Sequence, residues 1–124
     1  MNPHYKMKIP KRLGRRYDRM DRKTVRMALC VNRHQMPDVT DGAIYPRKLD
    51  LQDVDRMNAR AEKVVRHLAA EGKTLMLYVS GAQYPLVAVI NACIMYNVEL
   101  ILMHYNPQID EYYPQEVYTV KTKI

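Results

Sequence analysis

The sequence lacks the segments that mark membrane and secreted proteins. No apolar run reaches the roughly 18 residues that a membrane-spanning helix requires. The first residues contain no apolar core of the kind found in secretory signal peptides, and they carry Asp18 and Asp21 with little serine, unlike a mitochondrial presequence. The sequence therefore predicts a cytoplasmic protein that has no membrane as a partner.

The sequence also has little that could hold a metal ion or a dinucleotide. Its two cysteines, Cys30 and Cys93, lie in apolar runs, which is typical of reduced thiols in the core of a cytosolic protein. The four histidines are far apart and give no metal-ligand spacing. Neither a G-x-G-x-x-G fingerprint nor a Walker loop is present. We therefore expect no metal and no other cofactor.

Tyrosine is the only aromatic residue, with ten Tyr and no Phe or Trp. Tyrosine rings can stack on the bases of a nucleotide or a single strand. Tyr78 and Tyr96 lie inside apolar runs, and there we expect packing in the core or at an interface.

Positive charge is concentrated at the start of the chain. Residues 1–26 hold ten Lys or Arg and two Asp, a net +8; the remaining ten basic and eleven acidic residues give −1, and the sum is the +7 of the whole chain. We treat residues 1–25 as a basic N-terminal arm and residues 26–124 as one α/β domain. The arm could bind nucleic acid nonspecifically in a salt-dependent way, or it could be a solvated, partly helical tail that packs on a partner subunit.

The first half of the domain is predicted to contain one strand, a loop and one helix. Residues 26–32 form a short apolar run and hence a strand, and residues 35–49 are rich in Pro, Asp and Gly and are predicted to be a long loop. Asp50 is the predicted cap of an amphipathic helix that ends at Gly72. The apolar positions at helical spacing are Leu51, Val54, Met57, Ala61, Val64, Val65 and Leu68.

The second half continues the alternation of strands and helices. Residues 74–79 read as a buried strand, and Pro85 fits the first turn of a helix over residues 86–96. This helix is apolar on nearly every face, so we expect it to be buried in the core. Residues 98–104 form another strand, and Pro114 is compatible with a final strand at the sheet edge. The pattern predicts a small Rossmann-like domain with a mainly parallel sheet, flanking helices and a C-terminal edge strand.

Polar residues follow three of the predicted strands. Open parallel sheets bind ligands at the carboxyl ends of their strands, so three loops should meet there. The candidate ligand-binding residues are Asn32, Arg33 and His34 in the first loop, Ser80, Gly81 and Gln83 in the second, and Tyr105 and Asn106, beside His104, in the third. A structural interpretation also exists, because strands commonly end in polar residues at the surface.

The chemistry of these residues suits a phosphate-bearing ligand. Gly81 would let the backbone approach the ligand, and the helix after Pro85 offers free N–H groups to an anion. Arg33 could pair with a phosphate, and His34 or His104 could act as general acid or base. With no metal expected, cleavage of a phosphodiester would use attack by a ribose 2′-hydroxyl, with Arg33, His34 and His104 as the candidate catalytic residues.

A family resemblance rests on three stretches of the sequence: ALCVNRH, LYVSGAQYPLVAVINAC and VELILMHY. Together they resemble the CARF class of Rossmann-like domains associated with CRISPR systems, and among these the small single-domain members, over roughly residues 26–106. The resemblance implies a homodimer that binds a cyclic oligoadenylate-type messenger, with residues 32–34 as the first-strand motif and Ser80, Gly81 and Gln83 as the second ligand loop. The second loop is Ser-Gly-Ala-Gln here, where many members have Thr-Gly-Gly or Thr-Gly-x-Thr.

Three hypotheses about function therefore remain open. A stand-alone domain of this class would lower the concentration of the messenger, by sequestering it or as a metal-independent ring nuclease, and so damp antiviral signalling. Alternatively, the chain is a nucleic-acid-binding accessory protein that acts through its basic arm. A third possibility is a structural subunit without a ligand, held in an oligomer by its Tyr-rich tail.

Overall fold

The computed structural model describes residues 23–30, 38–46, 50–80 and 83–120. Within these ranges the chain forms five strands and two helices. In chain order they are β1 (Thr24–Cys30), β2 (Ala43–Tyr45), α1 (Val54–Ala70), β3 (Thr74–Tyr78), α2 (Gln83–Tyr96), β4 (Leu100–Asn106) and β5 (Glu111–Tyr118). β1 begins at Thr24, so its first two residues fall within the expected basic arm, residues 1–25.

The strands form one sheet in the order β2-β1-β3-β4-β5. The first four strands in this order are parallel, and β5 pairs antiparallel with β4 as the edge strand. The predicted small Rossmann-like α/β fold with a C-terminal edge strand is thus confirmed. The strand order matters for function, since it fixes which strand ends are neighbours.

The two faces of the sheet have different coverings. On one face, alternate strand residues such as Leu29, Leu77 and Leu102 pack in a single core with the inward sides of α1 and α2. On the other face, Met76, Tyr78, Ile101, Met103 and Tyr112 form a second buried cluster. Strand residues alternate between faces with a period of two, and parallel strands that are buried on both sides read as continuous apolar runs.

The helix boundaries follow their capping residues. Asp53 caps α1, because its side chain accepts a hydrogen bond from the Arg56 N–H over 3.1 Å. The prediction that Asp50 caps this helix was wrong by three residues: the Asp50 side chain accepts from the Gln52 N–H and forms a turn before the helix. Gly72, with φ of 65°, ends the helix as expected.

The predicted long loop over residues 35–49 contains a strand that the sequence analysis missed. Ala43, Ile44 and Tyr45 make the parallel strand β2, in which Ile44 and Tyr45 are buried. Ile and Tyr favour a pleated, buried position, but three residues are too few to show a period against the surrounding Pro, Asp and Gly. Gly42, with φ of 85°, turns the chain into this strand.

The last two strands form a hairpin that extends β4 beyond its predicted end at residue 104. Pro114, placed opposite Met103 in β5, has its backbone nitrogen on the outer edge. This follows because the Met103 carbonyl accepts from the Val79 N–H of β3, so the Met103–Pro114 pair is not hydrogen-bonded. Proline at that position removes an edge donor and hinders pairing with another chain.

The remaining structural predictions concern the thiols and the membrane. Cys93 is buried, Cys30 is half-buried, and neither of these two described cysteines forms a disulfide, as expected. Burial raises the pKa of Cys30 and raises that of Cys93 to about 12. Neither helix of the described ranges is long and apolar enough to cross a bilayer.

Candidate functional site

The strand order reverses between β1 and β3. From β1 the chain moves outward to β2, and from β3 it moves to β4 on the other side, so the loops that leave β1 and β3 diverge. In open α/β sheets such a reversal opens a crevice at the carboxyl ends of the two strands, where ligands bind. The first and second predicted ligand loops are the two that leave these strands.

The sheet register shows which residues border this crevice. Ala28 in β1 lies beside Tyr78 in β3, and continuing that register by two residues places Cys30 beside Ser80. On the other side, Cys30 pairs with Tyr45 of β2. The crevice is therefore bordered by the half-buried Cys30 thiol and the half-buried Ser80 hydroxyl, and the buried Tyr45 phenol lies one strand away, in β2.

A small polar cluster lies beside the crevice at the end of β2. The Tyr45 hydroxyl donates to the Met57 carbonyl of α1 over 2.9 Å. Burial raises the pKa of Tyr45 to about 12; the neighbouring Cys30 and Tyr84 raise it as well, whereas the Arg60 guanidinium lowers it. The phenol is thus a neutral hydrogen-bond donor at physiological pH.

Arg60 is held in place at this cluster. Its Nε donates to the Ile44 carbonyl of β2 over 2.8 Å, in a half-buried position. A guanidinium carries five N–H donors, and this bond uses one of them. The geometry therefore fixes a permanent positive charge against β2, one strand from the crevice, and planar guanidinium groups suit phosphate oxygens.

The second loop is only partly described. Ser80 follows β3 directly, and Gln83 is the exposed first residue of α2; Gly81 lies outside the described residues. α2 begins here, so its first-turn N–H groups lie at the carboxyl edge of the sheet. Pro85 falls in the first turn, as predicted, and the residue before it in α2 is the exposed Tyr84, with 43% of its surface accessible.

The third set of candidate residues is divided between the two faces of the sheet. His104 points to the helix-covered face, where its Nε2 lies 2.8 Å from Gln115 Oε1 and its ring lies 5.5 Å from that of Tyr113. Tyr105 packs against the opposite face and donates to Asp110. These residues belong to a hairpin on the far side of β3 from the reversal.

Asn106 has a local role in the same hairpin. It is the last residue of β4, and its side-chain oxygen accepts a hydrogen bond from the Gln108 N–H over 3.0 Å, which stabilises the turn. The first-loop residues Asn32, Arg33 and His34 lie outside the described residues. Of the three strands that precede the predicted loops, β1 and β3 border the crevice, and β4 is one strand away.

The sequence analysis overlooked the residues that border the crevice from the helix side. Arg60 is a half-buried charged residue next to the buried Ala61, but Glu62 has the same burial on the other side of Ala61, so the sequence alone did not distinguish it. Tyr84 was not considered, because it stands between the candidate ligand residue Gln83 and the predicted start of the helix at Pro85. Tyr45 could not be found without β2, whose existence only the pairing with β1 reveals.

Within residues 23–30, 38–46, 50–80 and 83–120, no group of three or more His, Cys, Asp and Glu side chains could hold a metal ion. Comparison with known proteins adds no assignment: no protein-family model, curated protein or solved structure gives a significant match to the chain. The resemblance to CARF domains therefore stays a prediction from the sequence.

Proposed function

We propose that the chain binds a small nucleotide messenger, a cyclic oligonucleotide, in the crevice between the carboxyl ends of β1 and β3. By binding it, the protein lowers the free concentration of the messenger and damps the antiviral, CRISPR-type signal that the messenger carries. The reversal of strand order between β1 and β3 is the observation that carries this proposal.

The side chains beside the crevice support a ligand with both phosphate and base. Arg60 supplies a fixed positive charge, and the first turn of α2 supplies N–H groups for phosphate oxygens. Tyr84 presents an exposed ring on which a base could stack. Ser80 could donate or accept a hydrogen bond at the ribose or the base.

Cleavage of the bound messenger is a further part of the proposal. The ribose 2′-oxygen forms a bond to the adjacent phosphorus while the bond from phosphorus to the 5′-oxygen breaks. A base accepts the proton of the 2′-hydroxyl, and an acid gives a proton to the leaving 5′-oxygen, which yields a 2′,3′-cyclic phosphate and a 5′-hydroxyl. His34 is the first candidate for base or acid, and His104 is the second.

The direct test is incubation of the purified protein with cyclic and linear oligonucleotides in the presence of EDTA, followed by chromatography. New linear products would establish metal-independent cleavage. Ligand that leaves solution and returns intact when the protein is denatured would establish sequestration. If no member of the panel is bound or cut, the messenger proposal is wrong.

A matched pair of arginines on α1 locates the site. Replacing Arg60 by Ala should weaken ligand binding by about 1.5–3 kcal/mol, the size expected for a hydrogen bond to a charged group. Replacing Arg66 by Ala, on the exposed side of the same helix, should leave binding unchanged. Equal effects of the two changes, measured by calorimetry on folded variants, would place the ligand elsewhere. Arg33→Ala tests the first loop in the same way.

Nucleic-acid binding through the basic arm is the alternative function, and the charge of +8 over residues 1–26 favours it. Replacing Lys11, Arg12, Arg15 and Arg16 by Gln removes four of these charges from the full chain. If the arm binds RNA or DNA, affinity should fall and its dependence on salt should become shallower. Binding of the small nucleotide should persist in the same variant.

A further inference from the structure

The face of the sheet opposite α1 and α2 is buried, although neither helix contributes to it. Its five central side chains are each at most 4% exposed, and we call them the second-face cluster: Met76, Tyr78, Ile101, Met103 and Tyr112. Among the described residues, the apolar side chains that pack on this cluster are the partly buried Val39 and Tyr105. Two such side chains cover only part of a face that is three strands wide, so another part of the chain covers the rest.

The position of Lys23 shows which segment reaches this face. Its carbonyl accepts a hydrogen bond from the Thr74 N–H over 2.9 Å, which fixes the start of β1 beside β3. Residues 1–22 therefore join the sheet at its middle, next to β3 and one strand from β4, which carry most of the cluster. The other segments outside the described ranges have at most seven residues each, too few to cover three strands.

The N-terminal segment is amphipathic with a helical period. Ile9, Leu13, Tyr17 and Met20 recur at spacings of four, four and three residues, so they share one side of a helix. Pro10 suits the first turn of such a helix. The opposite side carries only charged residues, namely Lys8, Lys11, Arg15, Asp18 and Arg22. A helix from Pro10 to residue 22 is about 20 Å long, which matches the roughly 23 Å of the seven-residue strand β4.

A buried carboxylate next to the cluster fits the positive charge of the same segment. The Oδ2 atom of Asp38 is buried and has no hydrogen-bond partner among the described residues. Asp38 precedes Val39, which packs on the second-face cluster. Residues 1–22 hold eight Lys or Arg and two Asp. Because a buried carboxylate is costly unless it is paired, a Lys or Arg of this segment is the fitting partner for Asp38.

We propose that residues 9–22 pack on the second-face cluster as an amphipathic helix, with Leu13 and Tyr17 against the sheet. The basic arm is then a third layer of the fold and not a solvated tail. Its charged side faces solvent at fixed spacing, so a phosphate backbone that binds there meets an ordered surface. The inference rests on burial, chain entry and sequence pattern, and it does not depend on whether the crevice holds a nucleotide.

Methionine oxidation reports which faces of the sheet are covered. Met76 and Met103 belong to the second-face cluster, Met57 packs in the core on the other face, and Met95 is 62% exposed. Dilute hydrogen peroxide converts accessible Met to its sulfoxide, and mass spectrometry gives the rate at each position of the full-length protein. In the unchanged protein, Met76 and Met103 should oxidise at least about tenfold more slowly than Met95. Equal rates would overturn the proposal.

A matched pair of substitutions assigns the cover to the N-terminal segment. Leu13→Gln places a carboxamide in the proposed contact and should speed oxidation of Met76 and Met103 by about tenfold, while Met57 stays protected. Arg15→Gln, on the opposite side of the same segment, should leave all three rates unchanged. Leu13→Ala, a milder change, takes its place if the carboxamide variant does not fold.

Two results with the Leu13 variants would contradict the assignment. If Met76 and Met103 oxidise at the rate of the unchanged protein, a different segment covers this face. If Met57 accelerates as much as Met76, the loss of protection is not confined to the face that the arm is proposed to cover, and the proposal is again wrong. Acceleration that is selective for the second-face cluster supports it.

Discussion

The two helices cover the same face of the sheet, yet they are built in opposite ways. α1 turns its larger apolar residues inward, among them Met57, Val65 and Leu68, and its outer side is charged. The buried residues of α2 are mostly small, namely Pro85, Ala88, Val89, Ala92 and Cys93, and its outer side exposes apolar residues such as Ile94 and Met95. The outer side of α1 is thus polar, as is usual for a surface helix, whereas the outer side of α2 exposes apolar residues to solvent.

This difference affects how each helix is stabilised. For α1, burial of large side chains against the sheet supplies the hydrophobic free energy, roughly in proportion to the area buried. For α2, two of the buried positions hold the small residues Ala88 and Ala92. A larger side chain at either position would need space that the packed core does not provide. Substitutions that remove volume should therefore affect α1 most, and substitutions that add volume should affect α2.

The largest effect is expected from truncation on α1. Leu68→Ala removes a side chain that is 5% exposed and leaves a cavity, so the free energy of unfolding should fall by about 2–5 kcal/mol. Leu51→Ala, at a position 60% exposed before the helix, should change it by less than about 0.5 kcal/mol. Denaturant unfolding of both variants measures the contrast, and equal losses would contradict the assignment of inward and outward positions.

Added volume tests the close approach of α2. Ala92→Leu inserts three carbon atoms at a position that is 1% exposed and should lower the free energy of unfolding by about 1–3 kcal/mol. Met95→Leu, a swap of similar volume on the outer side of the same helix, should be nearly neutral. A stable Ala92→Leu variant would show that α2 has room against the sheet.

The loss of stability at alkaline pH provides a third comparison of the two helices, because α2 buries the ionisable thiol of Cys93. The pKa of Cys93 is about 12 in the folded protein and about 9 without burial, so the folded state holds the proton more tightly. Stability should therefore fall as pH rises from about 9 toward 12. The raised pKa of Tyr45 adds to the same loss as the unfolded phenol ionises around pH 10, so the comparison is made with Tyr45 present in every variant. Below pH 10, Cys93→Ala should reduce this slope by up to about 1.4 kcal/mol per pH unit.

Unfolding curves collected between pH 8 and 10 give the slope directly. Cys30→Ala is the control, since Cys30 is only half-buried and its removal should reduce the slope less. If both variants keep the slope of the unchanged protein, the alkaline loss of stability comes from other groups.

The sequence was sufficient for the parts of the fold that repeat a period over many residues. Apolar spacing predicted α1, and continuous apolar runs predicted β3 and β4 as buried parallel strands. It was insufficient for β2, because a strand of three residues shows no period and is defined by its partner β1. It was also insufficient for α2, since its uniform apolarity predicted burial on nearly every side, whereas Val87, Ile94 and Met95 are exposed.

For the candidate site, the sequence predicted loops after β1 and β3, and these two strands are neighbours in the sheet. Residues 32–34 and Gly81 lie outside the described residues, so their part of the site stays a prediction. The sequence did not predict that His104 and Tyr105 would point to opposite faces, because that depends on β4 continuing to Asn106. Arg60 lies 20 residues before Ser80, on the helix that connects β2 to β3. Its contact with β2 could not be predicted, because β2 itself was missed.

The smallest contrast concerns the two aspartates before α1, where sequence and structure differ by three residues. Asp53→Ala removes the side-chain acceptor for the Arg56 N–H at the first turn and should cost about 1 kcal/mol of unfolding free energy. Asp50→Ala removes a bond to the exposed Gln52 N–H outside the helix, which water can replace, so it should cost less. Thermal and denaturant unfolding of the two variants decide between the positions. A larger loss for Asp50→Ala would restore the capping residue expected from the sequence, and it would mean that α1 begins one turn earlier.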